Sequence, residues 1–262
     1  MNLNLTNKNA LVCGSTQGIG RAVAVELAQM GANVTLMARN ETTLQSTLKM
    51  LNTAQNQQHN YIVADFASSE NVQKAIADHP AQFANFHILI NNTGGPTGGP
   101  LIEAATTQLL HTFEMHLINN QLLAQAVVEG MKKAGFGRVV NVISTSVKQP
   151  IVGLGVSNTV RWAVASWAKT LSLELGQFGI TVNNVLPGYT KTGRLEAVNK
   201  MRAATLGKSV EEVATQLATE IPMQRFAEAE EVAAAVAFLC SPAAAAISGI
   251  NLPVDGGKTG SL

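Results

Sequence analysis

Charged residues are scarce in this 262-residue chain, at 13% of the total, and aromatic residues reach only 5%. Lysine and arginine together (18) nearly balance aspartate and glutamate (17), and no basic run occurs. A nucleic-acid-binding protein normally carries a basic patch or stripe, so no nucleic-acid partner is expected. The low charge instead favours a protein that buries part of its surface between subunits.

Cysteine and long apolar runs are also lacking. The two cysteines, Cys13 and Cys240, stand alone, and isolated thiols form neither a disulfide framework nor a zinc site, so no metal site is expected. No run approaches the roughly 18 apolar residues of a membrane-spanning helix, and the N-terminus lacks the apolar core of a signal peptide. We expect a cytoplasmic protein without a membrane partner.

Short apolar segments rich in β-branched residues alternate with longer helical patterns. Most of these segments are apolar nearly throughout, as strands buried on both faces of a parallel sheet must be. The alternation predicts one α/β domain over 1–262, a Rossmann-type doubly wound parallel sheet of seven strands flanked by helices. The predicted strands are 9–13, 33–37, 61–66, 87–92, 138–144, 181–187 and 250–255. The predicted helices lie near 19–30, 41–54, 69–77, 104–133, 156–178, 209–219 and 228–240.

The polar stretch 188–227 fits this alternation poorly because it is longer than an ordinary connection. Extra length of this kind usually forms a lid over a binding site, and we predict a lid here. Its basic residues could attract an anionic or carrier-bound substrate, although exposed basic residues are usually only solvated. These residues are Lys191, Arg194, Lys200, Arg202 and Lys208.

The first predicted strand runs directly into the motif GSTQGIG, which opens a helix. Gly14 allows a tight turn, Gly18 lets the backbone approach a pyrophosphate, and Gly20 lets the helix pack closely on the sheet. Free N–H groups at the start of the helix then face the phosphates. The pattern predicts a dinucleotide site. Its residues are Gly14, Ser15, Gln17, Gly18, Ile19 and Gly20.

The end of the second predicted strand indicates which dinucleotide binds. Ala38 occupies the place where an acid would bind a ribose 2′-hydroxyl, and Arg39 follows it. A guanidinium suits a 2′-phosphate, so NADP(H) is favoured over NAD(H). The alternative is that Arg39 is an ordinary solvated surface charge.

Six segments together resemble the short-chain dehydrogenase/reductase family in order and spacing: GSTQGIG, VADF, NNTGG, GRVVNVIS, NNVLPGYTKT and SGINLPVDGG. The resemblance spans essentially the whole chain. The segment IPMQRFAEAEEVAAAVAFLCSP is similar to the C-terminal pattern of the 3-oxoacyl-(acyl-carrier-protein) reductases. The resemblance implies hydride transfer between NADP(H) and a carbonyl or alcohol, with a 3-oxoacyl thioester or a small ketone as substrate.

The resemblance also implies roles for particular residues. Asp65 meets the adenine, and Asn91 and Gly94 stabilise the fourth strand beside the cofactor. A turn flanks the nicotinamide, and it contains Pro187, Gly188 and Thr192. The alternative is a purely structural role, in which Asp65 only caps a turn and Asn91 only ends a strand. The helices at 104–133 and 156–178 resemble the subunit-contact helices of the family, so a homodimer or homotetramer is expected.

The chain departs from the family at its catalytic residues. Family members use a Tyr-x-x-x-Lys pair about 13 residues after a serine. Ser144 occupies the place of that serine, and the same interval leads to Ser157 and then Arg161. The chain has two tyrosines, Tyr61 and Tyr189, and neither is followed by lysine four residues later. The Tyr-x-x-x-Lys pair is therefore missing.

The family asparagine is changed as well. Alignment of TFEMHLINNQ puts His116 at its place, although Asn119 or Asn120 takes that place if the helix shifts by a turn.

Chemistry limits what these substitutions can do. A serine hydroxyl is a much weaker acid than a phenol, so Ser157 is a poor proton donor. Arg161 can still hold ribose hydroxyls and supply positive charge near a developing alkoxide. His116, with an unperturbed pKa of about 6.5, or Tyr189 could donate the proton instead. Ser144 could donate a hydrogen bond to a substrate carbonyl.

Each of these residues also has a structural alternative. His116 can be a packed histidine, Tyr189 can pack under the lid, and Ser144 can cap a strand end. Two hypotheses result. The chain is either a reductase with an atypical proton donor, or a catalytically inactive NADP(H)-binding sensor or partner protein.

Overall fold

Seven parallel strands form one sheet in a computed structural model that describes residues 1–261. The strands are β1 (Asn9–Cys13), β2 (Asn33–Ala38), β3 (Asn60–Val63), β4 (Ile88–Asn91), β5 (Gly137–Val142), β6 (Ile180–Pro187) and β7 (Asn251–Val254). Their order is β3-β2-β1-β4-β5-β6-β7, and every neighbouring pair is parallel. The strand order reverses direction between β1 and β4, and ligands bind at such a switch point in doubly wound folds.

Helices cover both faces of the sheet. They are α1 (Gly18–Gln29), α2 (Glu41–Leu48), α3 (Ser69–Asp78), α4 (Pro80–Phe83), α5 (Thr106–Phe113), α6 (Asn119–Ala134), α7 (Gly155–Leu175), α8 (Gly193–Leu206), α9 (Val210–Thr219) and α10 (Ala229–Cys240). One hydrophobic cluster joins α1 and α10 to the sheet through residues such as Leu27 and Val236. A second joins α3, α6 and α7 through residues such as Leu123 and Ala168. The predicted fold class is confirmed.

The boundaries of several elements differ from prediction. β3 and β5 end earlier than predicted, at Val63 and Val142, and α2 ends at Leu48 because the chain turns there. The predicted lid contains α8, which the sequence pattern did not show. The buried residues of α8 are Leu195, Asn199 and Ala203, four residues apart. So narrow a buried stripe gives little hydrophobic periodicity, and α8 was therefore missed.

Four buried or half-buried asparagines lie side by side in register on β4, β5, β6 and β7. Asn91 donates to Asn141, Asn141 to Asn184, and Asn184 to Asn251, each through Nδ2 to Oδ1 at 2.8 Å. We call these four residues the asparagine ladder. Its hydrogen bonds all run in one direction, so the amide dipoles add along the ladder.

None of the helices within residues 1–261 is long and apolar enough to cross a membrane. Within the same residues, no group of three or more His, Cys, Asp or Glu side chains is placed to hold a metal ion.

The close contact of α6 with the segment after α4 gives a stability prediction. A Cβ at Gly130 would lie 2.0 Å from the carbonyl oxygen of Ala84, which is backbone and must shift. We expect Gly130→Ala to lower the free energy of unfolding by about 1 to 3 kcal/mol, as measured by urea denaturation. Gly176→Ala is the matched control, because nothing lies within 4 Å of its Cβ position and its φ is −56°. Equal stability of the two variants would contradict the prediction.

Candidate active site

The glycine-rich loop between β1 and α1 has the geometry of a cofactor cradle. Gly14 and Gly18 have φ of +58° and +51°, in the left-handed region that favours glycine. A Cβ at Gly20 would lie 2.2 Å from the carbonyl oxygen of Gly14, so only glycine permits this approach of helix to loop. No side chain caps the start of α1 at Gln17. The first N–H groups of α1 therefore remain available to an anionic group.

Two side chains brace this loop from behind. Ser15 is fully buried, and its hydroxyl accepts a hydrogen bond from the Met37 N–H at 3.1 Å. The Asn92 amide donates to the carbonyls of Cys13 (3.3 Å) and Gly14 (3.2 Å). The Ser15 side chain thus holds the loop to β2, and only its backbone remains for the predicted cofactor contact. Gln17 is exposed and Ile19 is half-buried against the core.

The predicted nicotinamide turn lies opposite this loop. A Cβ at Gly18 would lie 3.1 Å from Cγ2 of Thr192, so the start of the lid approaches the loop closely. Gly188 donates its N–H to Val254 at 3.0 Å, and a Cβ at Gly188 would lie 2.6 Å from Cβ of Asp255. These contacts fix the turn after Pro187 against the end of β7. The residues present fit a dinucleotide between loop and turn.

The two residues predicted to contact the adenosine part of the cofactor are Arg39, just after β2, and Asp65, just after β3. The Arg39 side chain is exposed and has no hydrogen-bond or ionic partner within residues 1–261. Asp65 is half-buried, and its Oδ1 accepts a hydrogen bond from the Ala67 N–H at 3.0 Å. Asp65 therefore caps a turn, as the structural alternative suggested, while its adenine contact stays a prediction.

Arg161 is a buried cation without a buried anion. It lies on α7 with 8% of its surface exposed, and Nη1 donates to the Val142 carbonyl at 3.1 Å. No carboxylate within residues 1–261 forms an ion pair with it. Burial, and then the positive charge of Arg194, lower the pKa of Arg161 to about 10. Arg161 therefore stays protonated at neutral pH but bears an uncompensated charge in a poorly solvated place.

His116 lies in a π-helical turn, Glu114–Ile118, that joins α5 to α6. Such turns often occur at functional sites. The ring is 2% exposed, and the Gly94 carbonyl accepts a hydrogen bond from it, while Nε2 has no partner. Burial, with the nearby charge of Arg161, holds its pKa well below 6.5 despite the opposing Gly94 contact. The lowered pKa makes the His116 ring harder to protonate, and its role as a proton donor stays a prediction.

A small cavity of about 10 Å³ joins these groups. Its lining includes residues from β4, α6 and α7, namely Asn91, Asn92, Thr93, His116, Asn120, Val142, Ile143 and Arg161. The Asn119 amide points elsewhere and donates to the Phe66 carbonyl at 2.7 Å. Of the two alternatives to His116, Asn120 lies at the cavity and Asn119 does not.

Ser144 follows β5 and Ser157 lies on α7, and neither is among the residues that line the cavity. Ser144 is half-buried at the end of β5, and its hydroxyl oxygen accepts a hydrogen bond from the Ser146 N–H at 3.1 Å. The predicted cap is therefore present, and the Ser144 hydroxyl can still donate to another group. Ser157 lies one turn before Arg161 on the same face of α7. Its hydroxyl has no partner within residues 1–261.

Tyr189 lies under the lid rather than in the cavity. Its ring packs edge-on against Phe226 with centroids 6.0 Å apart, and its hydroxyl accepts a hydrogen bond from Arg202 at 3.3 Å. The cluster also contains Ala203 and Val213. Tyr189 therefore packs under the lid, as its structural alternative suggested, and its role as a proton donor stays a prediction.

The two legs of the lid are joined at its base. Thr190 and Ala227 form a parallel bridge, and the Lys191 N–H donates to the Ala227 carbonyl at 2.8 Å. Lys191 also forms an ion pair with Glu228. Arg194 donates to the Pro96 carbonyl at 2.6 Å, which ties α8 to the loop after β4.

Sequence reasoning missed the contacts of Asn92 and the asparagine ladder, and it named Asn120 only as an alternative to His116. A signal was present for the ladder, since asparagine recurs at the ends of apolar segments in ILINN, VVNV and VNNV. Pairing these asparagines requires the register of four strands, which one sequence does not show.

The comparisons with known proteins agree with this geometry. Residues 14–259 match the family model described as enoyl-(acyl carrier protein) reductase. The chain belongs to the short-chain dehydrogenase/reductase family, whose members are NAD(P)-dependent oxidoreductases acting on carbonyl and alcohol groups.

Three similar proteins illustrate the relationship. A putative ketoacyl reductase of Streptomyces coelicolor is 34% identical over 250 residues, 95% of either chain. The 3-oxoacyl-(acyl-carrier-protein) reductase of Vibrio cholerae is 34% identical over 257 residues, 97% of this chain and 98% of that protein. The structure of L-sorbose reductase from Gluconobacter frateurii with NADPH and L-sorbose has a TM-score of 0.93 at 29% identity, covering 100% of both chains.

The lowered pKa of His116 predicts a pH dependence of stability. The unfolded chain protonates this ring near pH 6.5, whereas the folded protein resists its protonation. The free energy of unfolding therefore falls as the pH drops below about 6.5, by at most about 1.4 kcal/mol per pH unit from this group. Urea denaturation between pH 7.5 and about 5 should show a shallower decline for His116→Asn than for the wild type. The same decline of the unfolding free energy with pH in both proteins would contradict this prediction.

Proposed function

We propose that this protein is an NADP(H)-dependent reductase of a carbonyl substrate, with a proton donor other than tyrosine. The observation that carries the proposal is the Arg161 guanidinium, which is buried without an anionic partner within residues 1–261. It lines a cavity together with Asn92, whose amide donates to the glycine-rich loop. An uncompensated buried cation is costly unless a negative charge develops near it. Reduction of a carbonyl develops such a charge on the substrate oxygen.

In this proposal, the loop from Gly14 to Gly20 holds the pyrophosphate on the N-terminus of α1, and the turn at Gly188 and Thr192 borders the nicotinamide. The bound cofactor supplies a hydride. Arg161 holds ribose hydroxyls and stabilises the developing alkoxide, and Ser144 donates a hydrogen bond to the carbonyl oxygen. His116, which lines the same cavity as Arg161, stays a candidate proton donor.

The mouth of the site favours a substrate with an apolar part. Gly99 pairs with Leu154 in a short bridge, which brings together the loops after β4 and β5. Ile102 and Val152 on these loops are 95% and 94% exposed. In this proposal, an apolar part of the substrate packs on these two side chains, and this contact gives it a preferred orientation. With the ketoacyl reductase relatives, it supports a 3-oxoacyl thioester, with a small ketone as the alternative.

The basic residues of the lid give weaker support for an anionic substrate. Within the described residues, Lys191 pairs with Glu228, Arg202 contacts Tyr189, and Lys208 donates to Gln216. These three side chains are engaged in contacts within the lid and at its base, whereas the Lys200 side chain is exposed.

The similar proteins carry reductase names, so the comparisons lend no support to the alternative of an inactive NADP(H)-binding protein. A cytoplasmic location remains part of the proposal.

Oxidation of NADPH in the presence of oxoacyl thioesters, small ketones and sugars tests the proposal. We expect slow turnover with at least one class, since a missing acid lowers the rate by roughly 10² to 10⁴ without removing hydride positioning. Tight NADPH binding without turnover on any of them would leave the inactive alternative.

Restoring the family pair gives a stronger test. The double variant Ser157→Tyr with Arg161→Lys should raise kcat by about 10² or more, because a phenol beside a cation is a far better acid than serine. Stopped-flow measurement of NADPH oxidation provides the rate. Arg161→Lys alone is the control and should not raise kcat, while failure of the double variant to exceed the wild type would count against the assigned positions.

Cofactor choice rests on Arg39. The variant Arg39→Ala should weaken NADPH binding about 10- to 100-fold, because a charge-assisted contact to the 2′-phosphate is lost. NADH, which has no 2′-phosphate, serves as the internal control and should keep its affinity. Fluorescence titration measures both, and an equal loss for both cofactors would argue against the assignment.

We also propose a homodimer or homotetramer formed through the helices around α5 and α7. Large exposed apolar side chains lie on or beside these helices, namely Leu110, Phe113, Ile118, Trp162 and Leu173. Light scattering at micromolar concentration should give a multiple of the chain mass, and Leu173→Glu should lower it. A wild-type monomer would contradict this prediction.

A further inference from the structure

The π-helical turn that carries His116 is held at both of its ends. Glu114, the first residue of the turn, accepts two hydrogen bonds from Ser69 at Oε1, from the N–H at 3.0 Å and from the hydroxyl at 2.6 Å. Asn119, the residue that follows the turn, donates through Nδ2 to the Phe66 carbonyl at 2.7 Å. The start of α3 and the residues just before it therefore hold the turn on both sides.

The partners of the turn belong to residues 65–69, which join β3 to α3 and which we call the connecting segment. This segment is fixed by its own hydrogen bonds. The Ala67 N–H donates to Oδ1 of Asp65 at 3.0 Å, and the Ser68 N–H donates to the Asp65 carbonyl at 3.2 Å. The Ser68 hydroxyl also caps the start of α3. Because these bonds fix the turn, a displacement of Asp65 moves Ser69 with it.

The Glu114 link is the stronger of the two because it involves a charge. The hydrogen bonds from Ser69, first from its hydroxyl and then from its N–H, hold the pKa of the Glu114 carboxyl below its usual range, so the carboxylate is ionised at neutral pH. Hydrogen bonds to an ionised acceptor are about twice as strong as neutral ones. Ser69 begins α3, and the positive end of a helix dipole favours an anion there.

The turn that Glu114 holds determines where His116 points. A π-helical turn takes up one more residue than an α-helical turn, so loss of the π-helical turn would rotate its residues by about 100° around the helix axis. The His116 ring is buried, and the Gly94 carbonyl accepts a hydrogen bond from it. Such a rotation would break that bond and withdraw the ring from the cavity that Arg161 lines.

The two ends of this link belong to different parts of the predicted cofactor site. Asp65 follows β3, and its adenine contact is predicted from the family resemblance. His116 lines the cavity together with Asn91, at the end of β4. Because β2 and β1 lie between β3 and β4, three strand spacings, about 14 Å, separate these strands. The hydrogen bonds of Glu114 and Asn119 connect the two parts through the protein alone.

We propose that Glu114 is a positioning residue that couples binding of the adenine half of the cofactor to the placement of His116. The proposal rests on the reductase function proposed above, because that function requires the cofactor. An adenine that packs against the connecting segment fixes Ser69, Ser69 fixes Glu114, and Glu114 sets the turn that carries His116. The cavity beside Arg161 then takes its final shape when the adenine end of the site is occupied.

Histidine NMR tests the coupling without any substrate. The probe is 2′,5′-ADP, which carries the adenine and the 2′-phosphate of NADP(H) but no nicotinamide. In wild-type protein with ¹³C-labelled histidine, we expect saturation with 2′,5′-ADP to shift the Cε1–H signal of His116, which is assigned by its loss in His116→Asn. In Glu114→Ala the shift should be absent. Both proteins are compared at saturation, so a difference in affinity does not affect the comparison.

Three further variants separate coupling from a general loss of structure. Glu114→Gln keeps an acceptor oxygen and should keep the shift. Glu129→Ala is the matched control and should respond as the wild type does, because Glu129 forms an exposed ion pair with Lys132 on α6. Ser69→Ala removes the hydroxyl donor from the other side and should reduce the shift, even where Glu114→Ala is too unstable to study. A full shift in a folded Glu114→Ala or in Ser69→Ala, or no shift in the wild type at saturation, would overturn the proposal.

Kinetics test whether the coupling matters for the reaction. With a substrate that the wild type reduces, Glu114→Ala should lower kcat about 10- to 100-fold, because a misplaced group in the site can cost that much, while KM for NADPH changes far less. Reduced nicotinamide mononucleotide lacks the adenosine half and should be oxidised slowly by both proteins. Added 2′,5′-ADP should accelerate this oxidation in the wild type and not in Glu114→Ala, and equal acceleration in both would contradict the coupling.

The outcomes separate this proposal from the proposed function. If the His116 signal responds as expected but no substrate is reduced, the reductase function fails and the coupling stands. If the protein reduces a substrate with NADPH but the signal does not respond, the coupling fails and the reductase function stands. If 2′,5′-ADP does not bind to the wild type, the predicted cofactor site fails and the coupling fails with it.

Discussion

The parallel register of β4 to β7 is the constraint on which the candidate site depends. That register aligns four asparagines, and their hydrogen bonds link β4 and β5 to the edge strand β7. Ser144 follows β5, and Arg161 on α7 donates a hydrogen bond to Val142 of β5. A slip of one residue in any of these strands would turn an asparagine to the opposite face. The polar ladder therefore ties the position of the site to correct assembly of the sheet.

The buried positive charge of Arg161 is the second feature that shapes the candidate site. Burial, together with the charge of Arg161, holds the pKa of His116 well below 6.5. Within residues 1–261, no carboxylate forms an ion pair with the Arg161 guanidinium. In the family pattern a lysine acts on a tyrosine at this place, so the cation works through a neighbouring acid. Here Ser157 and Arg161 stand at these two places, and in the proposed reductase the cation stabilises the substrate oxygen directly.

The sequence predicted what is local and repetitive, and missed what depends on distant neighbours. Seven apolar segments became seven strands, and the glycine loop adopts the turn that its spacing required. Helix α8 was missed because only three of its residues are buried, in a single row along the helix. The sequence alone could not show the ring direction of Tyr189, which depends on Phe226. It also could not show the lowered pKa of His116, which depends on burial and on the charge of Arg161.

The bridge between Thr190 and Ala227 has a consequence for how the lid can change. Because the two legs meet at the base, the segment between them begins and ends at nearly one point in space. Residues 193–226, which follow Thr192, can then vary in length and chemistry without a change in the distance that the flanking sheet must span. Substrate range can diversify in such an insert while the cofactor half of the protein stays the same.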